Sequence, residues 1–320
     1  MLRSHIIASG SYLPEKIMTN KDLEKIVDTS DEWIEQRSGI KQRHIAADDQ
    51  TTSDMAVNAA NRAIEAAGIT AQDIDGIIIA TTTPDQTFPS VAAKVQAAIG
   101  APVGIAFDVQ AVCTGFVYAL SVADNFIKAG QLKRVLVIGA EKMSSILNWE
   151  DRTTCVLFGD GAGAVILEAQ ETEEKTGILS THLYANGNHQ DLLYTNGGVS
   201  TTGQSGKLVM EGREVFKHAV TLMAGAVVAA LEENNMSADD VDWLVPHQAN
   251  IRIIESTAKK LKMPMEKVVV TVANHGNTSA ASIPLAFDEA IRSKKVKKGD
   301  TVLFEALGGG LTWGSALVRL

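Results

Sequence analysis

Cysteine occurs only twice in this 320-residue chain, and one of the two, Cys113, sits in VQAVCTGFVYAL, at a corner where a β-like run (GIAFDVQ) gives way to a long apolar segment. A thiol at the start of a helix faces the positive end of the macrodipole and free N–H groups. Both favour the thiolate, the nucleophilic form. Taken alone, the residue also reads as a small buried hydrophobe. His247 closes DWLVP and precedes QAN. An imidazole there serves as a base or as a donor to a developing oxyanion; the ordinary alternative is a hydrogen-bonded structural histidine. Asn277, in NHGNTSAAS, is either a carboxamide donor at a second strand-to-helix corner or simply a helix N-cap. The triplet GGG (308–310) follows TVLFEAL and reads as a loop whose N–H groups approach a ligand closely, or as a tight turn. The functional reading gains from the combination: one nucleophile and two donors at comparable corners.

Those corners belong to an alternation of strand-like and helix-like segments, the pattern of an α/β protein. IDGIIIATTT (74–83) is the apolar run of a strand buried on both faces. TSDMAVNAANRAIEAAG (52–68) reads as a helix with Ser53 as N-cap and Gly68 as its stop, and residues 114–128 as a helix apolar almost all round. Four segments then recur in order. AQDIDGIIIATTTPDQ echoes ADDVDWLVPHQAN, and AFDVQAVCTGF echoes VVVTVANHGNTSAAS. KRVLVIGAEKMS echoes GDTVLFEALGGG, and GDGAGAVILE echoes LTWGSALVRL. Such a repeat predicts two similar halves about a pseudo-twofold axis, dividing near residue 170. Ligand groups gather beyond the carboxyl ends of strands in open α/β sheets. The axis would therefore bring Cys113, His247 and Asn277 to one central site. GDGAGA (159–164) matches a dinucleotide-binding pattern, but a strand follows it where that fingerprint needs a helix, so no such cofactor site is expected. Residues 186–207, rich in Gly, Asn, Ser and Thr, read as an irregular functional loop.

Composition narrows the class. The chain is 45% hydrophobic and 21% charged, ordinary for a globular protein that needs no disulfides. Two cysteines without metal-type spacing point to reduced thiols and a cytosolic setting, with no metal site. A formal charge of −9 argues against broad nucleic-acid binding. No apolar run approaches the roughly 20 residues that span a bilayer, so no membrane insertion is expected.

Taken together, GSYLPEKIMTNKDLEKIVDTSDEWIEQRSGIKQRHI, DVQAVCTGF, FGDGAGAVIL, VPHQANIRII, NHGNTSAAS and GGGLTWGSALVRL resemble the β-ketoacyl-acyl-carrier-protein synthase III family, the initiating condensing enzymes of bacterial type II fatty-acid synthesis. The resemblance runs the whole length, in order. It implies an α/β thiolase-like fold in αβαβα layers, with residues 1–170 carrying the cysteine and 171–320 the histidine and asparagine. It also implies a homodimer that transfers a short acyl group from acyl-CoA to Cys113 and condenses it with malonyl carrier protein, with no permanently bound cofactor. His247 and Asn277 would stabilise the enolate, and the N–H groups of Cys113 and Gly309 would hold the thioester oxyanion. Coenzyme A would meet Thr29, Trp33, Arg37, Arg152 and Asn250. Trp33 and Arg37 share a face of a short helix capped by Ser30 and stopped near Gly39; outside that family context they read as a surface pair. Phe88 matches a residue that reaches across the dimer to the neighbour's acyl pocket. Leu307 departs from the family, whose members commonly carry phenylalanine there against the active cysteine, and it should wall that pocket less tightly. The helix NIRIIESTAKKLKM puts Ile251, Ile254, Ala258 and Leu261 on one stripe. Arg252, Lys259 and Lys260 lie opposite, as a solvated face or as a cationic patch for an acidic carrier protein. The alternative is another thiolase-fold acyltransferase with the same Cys–His–Asn set, of polyketide or secondary-metabolism type, using a different primer or extender.

Overall fold

The computed structural model describes all 320 residues. Its frame is two mixed sheets built on one plan. The first contains β1 (Leu2–Tyr12), β2 (Gly76–Ala80), β3 (Ile105–Val109), β4 (Arg134–Glu141) and β5 (Gly161–Glu171), in the order β1-β5-β4-β2-β3. The second contains β6 (Gly177–Ala185), β7 (Trp243–Pro246), β8 (Thr301–Gly308) and β9 (Thr312–Arg319), in the order β7-β8-β9-β6. In the first, β2–β4 is parallel while β4–β5 and β5–β1 are antiparallel; in the second, β7–β8 is parallel while β8–β9 and β9–β6 are antiparallel. The echoing sequences therefore occupy matching places. Only β3, parallel to β2, lacks a full counterpart: the equivalent segment keeps a single parallel bridge, Leu244 to Val268.

The helices are α1 (Asp31–Ser38), α2 (Thr52–Ala67), α3 (Val91–Ile99), α4 (Gly115–Lys128), α5 (Gly212–Glu233), α6 (Ile251–Lys260) and α7 (Ser282–Arg292). The apolar run of β2 explains the layering. Ile77 and Ile79 pack under α2 and α3, while Ile78 and Ala80 pack on α4. α4 and α7 share one continuous core with both sheets, including Phe116, Leu120, Phe287 and Phe304. α5 and α6 cover the far face of the second sheet. The order is helix, sheet, helix, sheet, helix, and each sheet is buried on both faces.

Three local expectations need correction. The N-cap of α2 is Thr51, which forms a capping box with Asp54; Ser53 instead gives its hydroxyl to Asp85 at 2.6 Å. Residues 186–207 are not wholly irregular: Leu193–Thr195 pairs antiparallel with Leu208–Met210. α5, at 22 residues, is long and apolar enough to cross a bilayer. Here it lies on the second sheet, where the carbonyl of Ala226 accepts from Ser315 Oγ at 2.7 Å and Val227 and Ala230 are fully buried.

Candidate active site

The site begins at two corners built alike. A turn of 3₁₀-helix, Val112–Thr114, precedes α4, and another, Ser279–Ala281, precedes α7. Each opens on a non-glycine residue in the left-handed region, Val112 and Ser279, both at φ 50°. Such a conformation costs about 1–3 kcal/mol and persists only where packing dictates it. The corners abut. A Cβ on Gly115 would stand 3.0 Å from the Cβ of Ala80 and 3.4 Å from that of Ala280, so glycine lets the two helix starts meet. Cys113 therefore sits in the turn rather than in the α-helix proper. Gly308 lets β8 press against it: a Cβ there would lie 2.7 Å from the Cys113 nitrogen.

Cys113, His247 and Asn277 line one cavity of about 770 Å³, together with Leu307. His247 follows the last residue of β7, and its N–H donates to the Glu305 carbonyl at 2.7 Å. Its Nδ1 lies 2.6 Å from Ser282 Oγ, which also accepts from the Gln248 N–H at 3.3 Å. In one of the two tautomers that this pair allows, the Ser282 O–H donates to Nδ1. The proton of the neutral imidazole then sits on Nε2, the ring's other nitrogen. Asn277 has its backbone held by both neighbours: its N–H donates to Leu157 at 2.8 Å and its carbonyl accepts from Gly159 at 3.0 Å. Its Oδ1 accepts from the Ser279 N–H at 2.9 Å, which leaves Nδ2 as the free donor. The expected N-cap role is not met, since the N-cap of this 3₁₀ turn is Thr278; Asn277 instead turns its Oδ1 onto the N–H two residues on, while it lines the cavity. The GDG of residues 159–161 is structural. Asp160 accepts from Ala46 N at 2.8 Å, Ser144 N at 2.8 Å and Ser144 Oγ at 2.6 Å, tying together the loops around Asn277.

The electrostatics overturn one expectation. Burial pushes the Cys113 thiol up to about 12; the Ser279 hydroxyl works the other way, and the charge on Glu141 adds to the rise. Desolvation is the largest of these influences, so the resting group is a thiol. Burial alone holds His247 down to about 3, so it is neutral at physiological pH. Glu305 is fully buried with neither carboxyl oxygen paired, and burial raises it to about 8, so it stays a neutral acid beside the histidine backbone.

Trp33, Arg37, Asn250 and Arg252 line the outer part of the same cavity. α1 is capped by Ser30 and stopped by Gly39 at φ 74°. A Cβ on Gly39 would lie 2.7 Å from Ile251, so this turn packs α1 onto the start of α6. The guanidinium of Arg37 stands 4.7 Å from the Trp33 ring centre, and that of Arg152 stands 5.3 Å from it. Arg152 also bonds the Asp28 carbonyl at 2.9 Å. Thr29 does not line the cavity; its Oγ1 is buried without a partner. Asn250 caps α6 by accepting from Arg252 N at 2.8 Å and Ile253 N at 3.2 Å. Arg252, Lys259 and Lys260 are exposed, and α6 buries Ile253, Ile254, Thr257 and Ala258, with Ile251 only half-buried. Phe88 lies away from the cavity and is 80% exposed. Leu307 packs with Val215, Met223 and Ile253. Residues that the sequence reading missed are Leu193 and Met210 of the small ribbon and Arg213 and Phe216 of α5, which complete the wall. Of these, only Leu193 lies in the flagged stretch 186–207.

Comparison with known proteins agrees with this architecture. Residues 107–187 match the family described as 3-oxoacyl-[acyl-carrier-protein (ACP)] synthase III, and residues 231–320 match its C-terminal family. The chain is 62% identical over 323 residues to a beta-ketoacyl-[acyl-carrier-protein] synthase III of Paramagnetospirillum magneticum, with 100% of both chains covered. It is 62% identical over 320 residues to that of Rhodospirillum centenum, with 99% of each covered. The crystal structure of 3-oxoacyl-[acyl-carrier-protein] synthase III from Aquifex aeolicus is similar at a TM-score of 0.94 and 50% identity, covering 99% of this chain and 100% of the other.

Proposed function

The chain belongs to the 3-oxoacyl-[acyl-carrier-protein] synthase III family, and on that premise we propose how its cavity carries out the reaction. It is an acyltransferase that initiates fatty-acid synthesis by condensing an acyl-CoA with malonyl carrier protein, releasing CO₂ and coenzyme A. The observation that carries the assignment of roles is the meeting of Cys113, from one half, with His247 and Asn277, from the other, in a single cavity. The halves divide near residue 170.

In the first step Cys113 Sγ attacks the acyl thioester carbon, and coenzyme A leaves as its thiolate. The N–H groups of Cys113 and Gly309 hold the developing oxyanion; neither is spent on a turn or loop hydrogen bond. In the second step malonyl thioester loses CO₂. The enolate oxygen receives one hydrogen bond from His247 Nε2–H and one from Asn277 Nδ2–H, so no strong base is needed. The carbanion carbon attacks the acyl-cysteine carbonyl and the cysteine sulfur leaves. The wall of Leu307, Val215 and Met223 keeps water from the carbanion. Trp33, Arg37 and Arg152, with Asn250 and Thr29 nearby, hold the coenzyme. A flat ring with two guanidinium groups within 4.7 and 5.3 Å of its centre suits adenine and phosphate. Acyl capture by Cys113, read by intact mass, tests the assignment.

Arg252 at the cavity edge and the exposed Lys259 and Lys260 form the face for an acidic carrier protein. Converting Lys259 and Lys260 to glutamate is expected to lower the kcat/KM ratio of carrier-bound to coenzyme-bound malonate about tenfold, with the loss shrinking at high ionic strength. Competition kinetics at two salt concentrations check this; an unchanged ratio removes the face from the assignment. β3 is an edge strand with all five residues only half-buried, and Phe88 and Val103 are among the most exposed apolar side chains. We infer a homodimer across that edge, with Phe88 reaching the partner's cavity. Light scattering should give twice the 34.1 kDa chain mass; a single chain mass would refute it. The reduced thiols fit the cytosol.

A further inference from the structure

A thiol pushed up by burial must lose its proton when it attacks, and the neutral His247 is assigned to the enolate as a donor. The structure offers another destination. Glu141 closes β4 at the end of an apolar strand and is fully buried. Its carboxylate is an acceptor on every side. It takes hydrogen bonds from Thr81 Oγ1 at 3.2 Å, Thr82 N at 3.0 Å, Thr82 Oγ1 at 3.0 Å, Thr83 N at 3.1 Å and Thr83 Oγ1 at 2.5 Å. Two of these donors, the N–H groups of Thr82 and Thr83, can only donate, and the Thr81 and Thr83 hydroxyl oxygens each also accept a backbone N–H, from Thr83 at 3.1 Å and Lys142 at 2.8 Å. The remaining donor is Ser279 Oγ at 3.1 Å from Glu141 Oε1, and the same hydroxyl acts on the Cys113 thiol, whose corner abuts its own. With its proton on the carboxylate, Ser279 presents lone pairs to the thiol.

We propose that Glu141, acting through the Ser279 hydroxyl, is the resident proton store for Cys113. The inference rests on Cys113 being the acyl acceptor. As Sγ bonds to the acyl carbon, the thiol proton passes to Ser279 Oγ and the Ser279 proton to Glu141, while coenzyme A departs as thiolate and takes its proton from water. When the carbanion displaces the cysteine sulfur, the proton returns from Glu141 through Ser279 to Sγ. Glu141 ends as carboxylate and Cys113 as thiol, and the cycle consumes the one proton that coenzyme A keeps. Burial raises the Glu141 carboxyl against the pull of its threonine and Ser279 donors, which suits a group that must accept and return a proton. Ser279 holds φ 50°, as Val112 does at the matching corner, and from there its hydroxyl bonds Glu141. Ser279 is the residue that acts on the reacting thiol; Glu141 acts through it.

The test is the single-turnover rate of Cys113 acetylation by acetyl-CoA, quenched and read by intact mass from pH 6 to 10. The titratable group coupled to Glu141 is the Cys113 thiol. Asp85, further along the threonine loop, is paired with Lys94 at 3.0 Å, and Lys142 is bonded to the carbonyls of Ala47, Asp48 and Gln50. Glu141→Gln is expected to slow acetylation about 100-fold at pH 7. It should then recover about tenfold per pH unit, because the thiolate must now form through bulk hydroxide. Glu141→Asp, which keeps a carboxylate, should recover most of the loss at pH 7. Should Glu141→Gln fail to fold, Ser279→Ala carries the same expected profile, since it leaves Glu141 its threonine donors. A loss independent of pH, or no loss, overturns the relay. A wild-type chain that never gains an acetyl group overturns the role of Cys113 itself, and the relay with it.

Discussion

Cys113→Ala is expected to gain no mass on incubation with acetyl-CoA, where the wild-type chain gains one acetyl group. Overall condensation should fall at least about 1,000-fold. The argument is geometric before it is chemical. Cys113 is 4% exposed, yet it lines the cavity, so its sulfur is reached only from inside. Cys155, the other thiol, is fully buried in a separate cluster and does not line that space, so it offers no substitute. Alanine is smaller than cysteine and removes a desolvated group, so the fold is retained. Decarboxylation of malonyl thioester, which needs the two donors and not the sulfur, should persist in this variant. Acetylation of the alanine variant, or its capture on another residue, would displace Cys113 from the mechanism.

His247→Ala should do the converse. Losing one of two donors to the enolate costs about 100- to 1,000-fold in decarboxylation, measured as CO₂ release from malonyl thioester, while single-turnover acetylation of Cys113 stays within a few-fold. Equal losses in both half-reactions would contradict this division of roles. The pH behaviour adds a second check. His247 is held to about 3 in the native chain, against an ordinary value of 6.5. Between those values the unfolded chain binds a proton that the native chain does not, so stability falls as pH drops from 6.5 toward 3 and is complete above 6.5. The alanine variant should lose that slope in thermal melts. For activity, the imidazole is already neutral at pH 5.5, so the decarboxylation rate of the wild type should show no inflection from this histidine between pH 5.5 and 8.

The sheets were legible because their central strands are apolar runs: IIIA, VLVIGA and VLFEAL leave little else for a chain to do there. The paired halves were legible because the echoing segments keep their order. α1 was legible to the residue, since Ser30 and Gly39 act through their immediate neighbours. What failed was what depends on distant partners. Ser53 looked like a cap, but Asp85 takes its hydroxyl and the Thr51–Asp54 box wins. The thiol of Cys113 looked activated because a helix start is visible in sequence, whereas the depth of burial and the charge of Glu141 are not. Leu208–Met210, which pairs with Leu193–Thr195, lies just beyond the biased stretch, so composition alone showed a loop. Ser279 and Glu141 are 138 positions apart and drew no notice separately.

The two strained turns carry an evolutionary consequence. Had each unit once been a separate polypeptide pairing with its twin, every substitution at the corner would have appeared twice, and a nucleophile could not have arisen opposite anything but another nucleophile. Joining the copies covalently lifts that restriction. One bend became free to carry sulfur and the other to carry a hydroxyl, so that dissimilar chemistry now faces itself across a nearly symmetric scaffold.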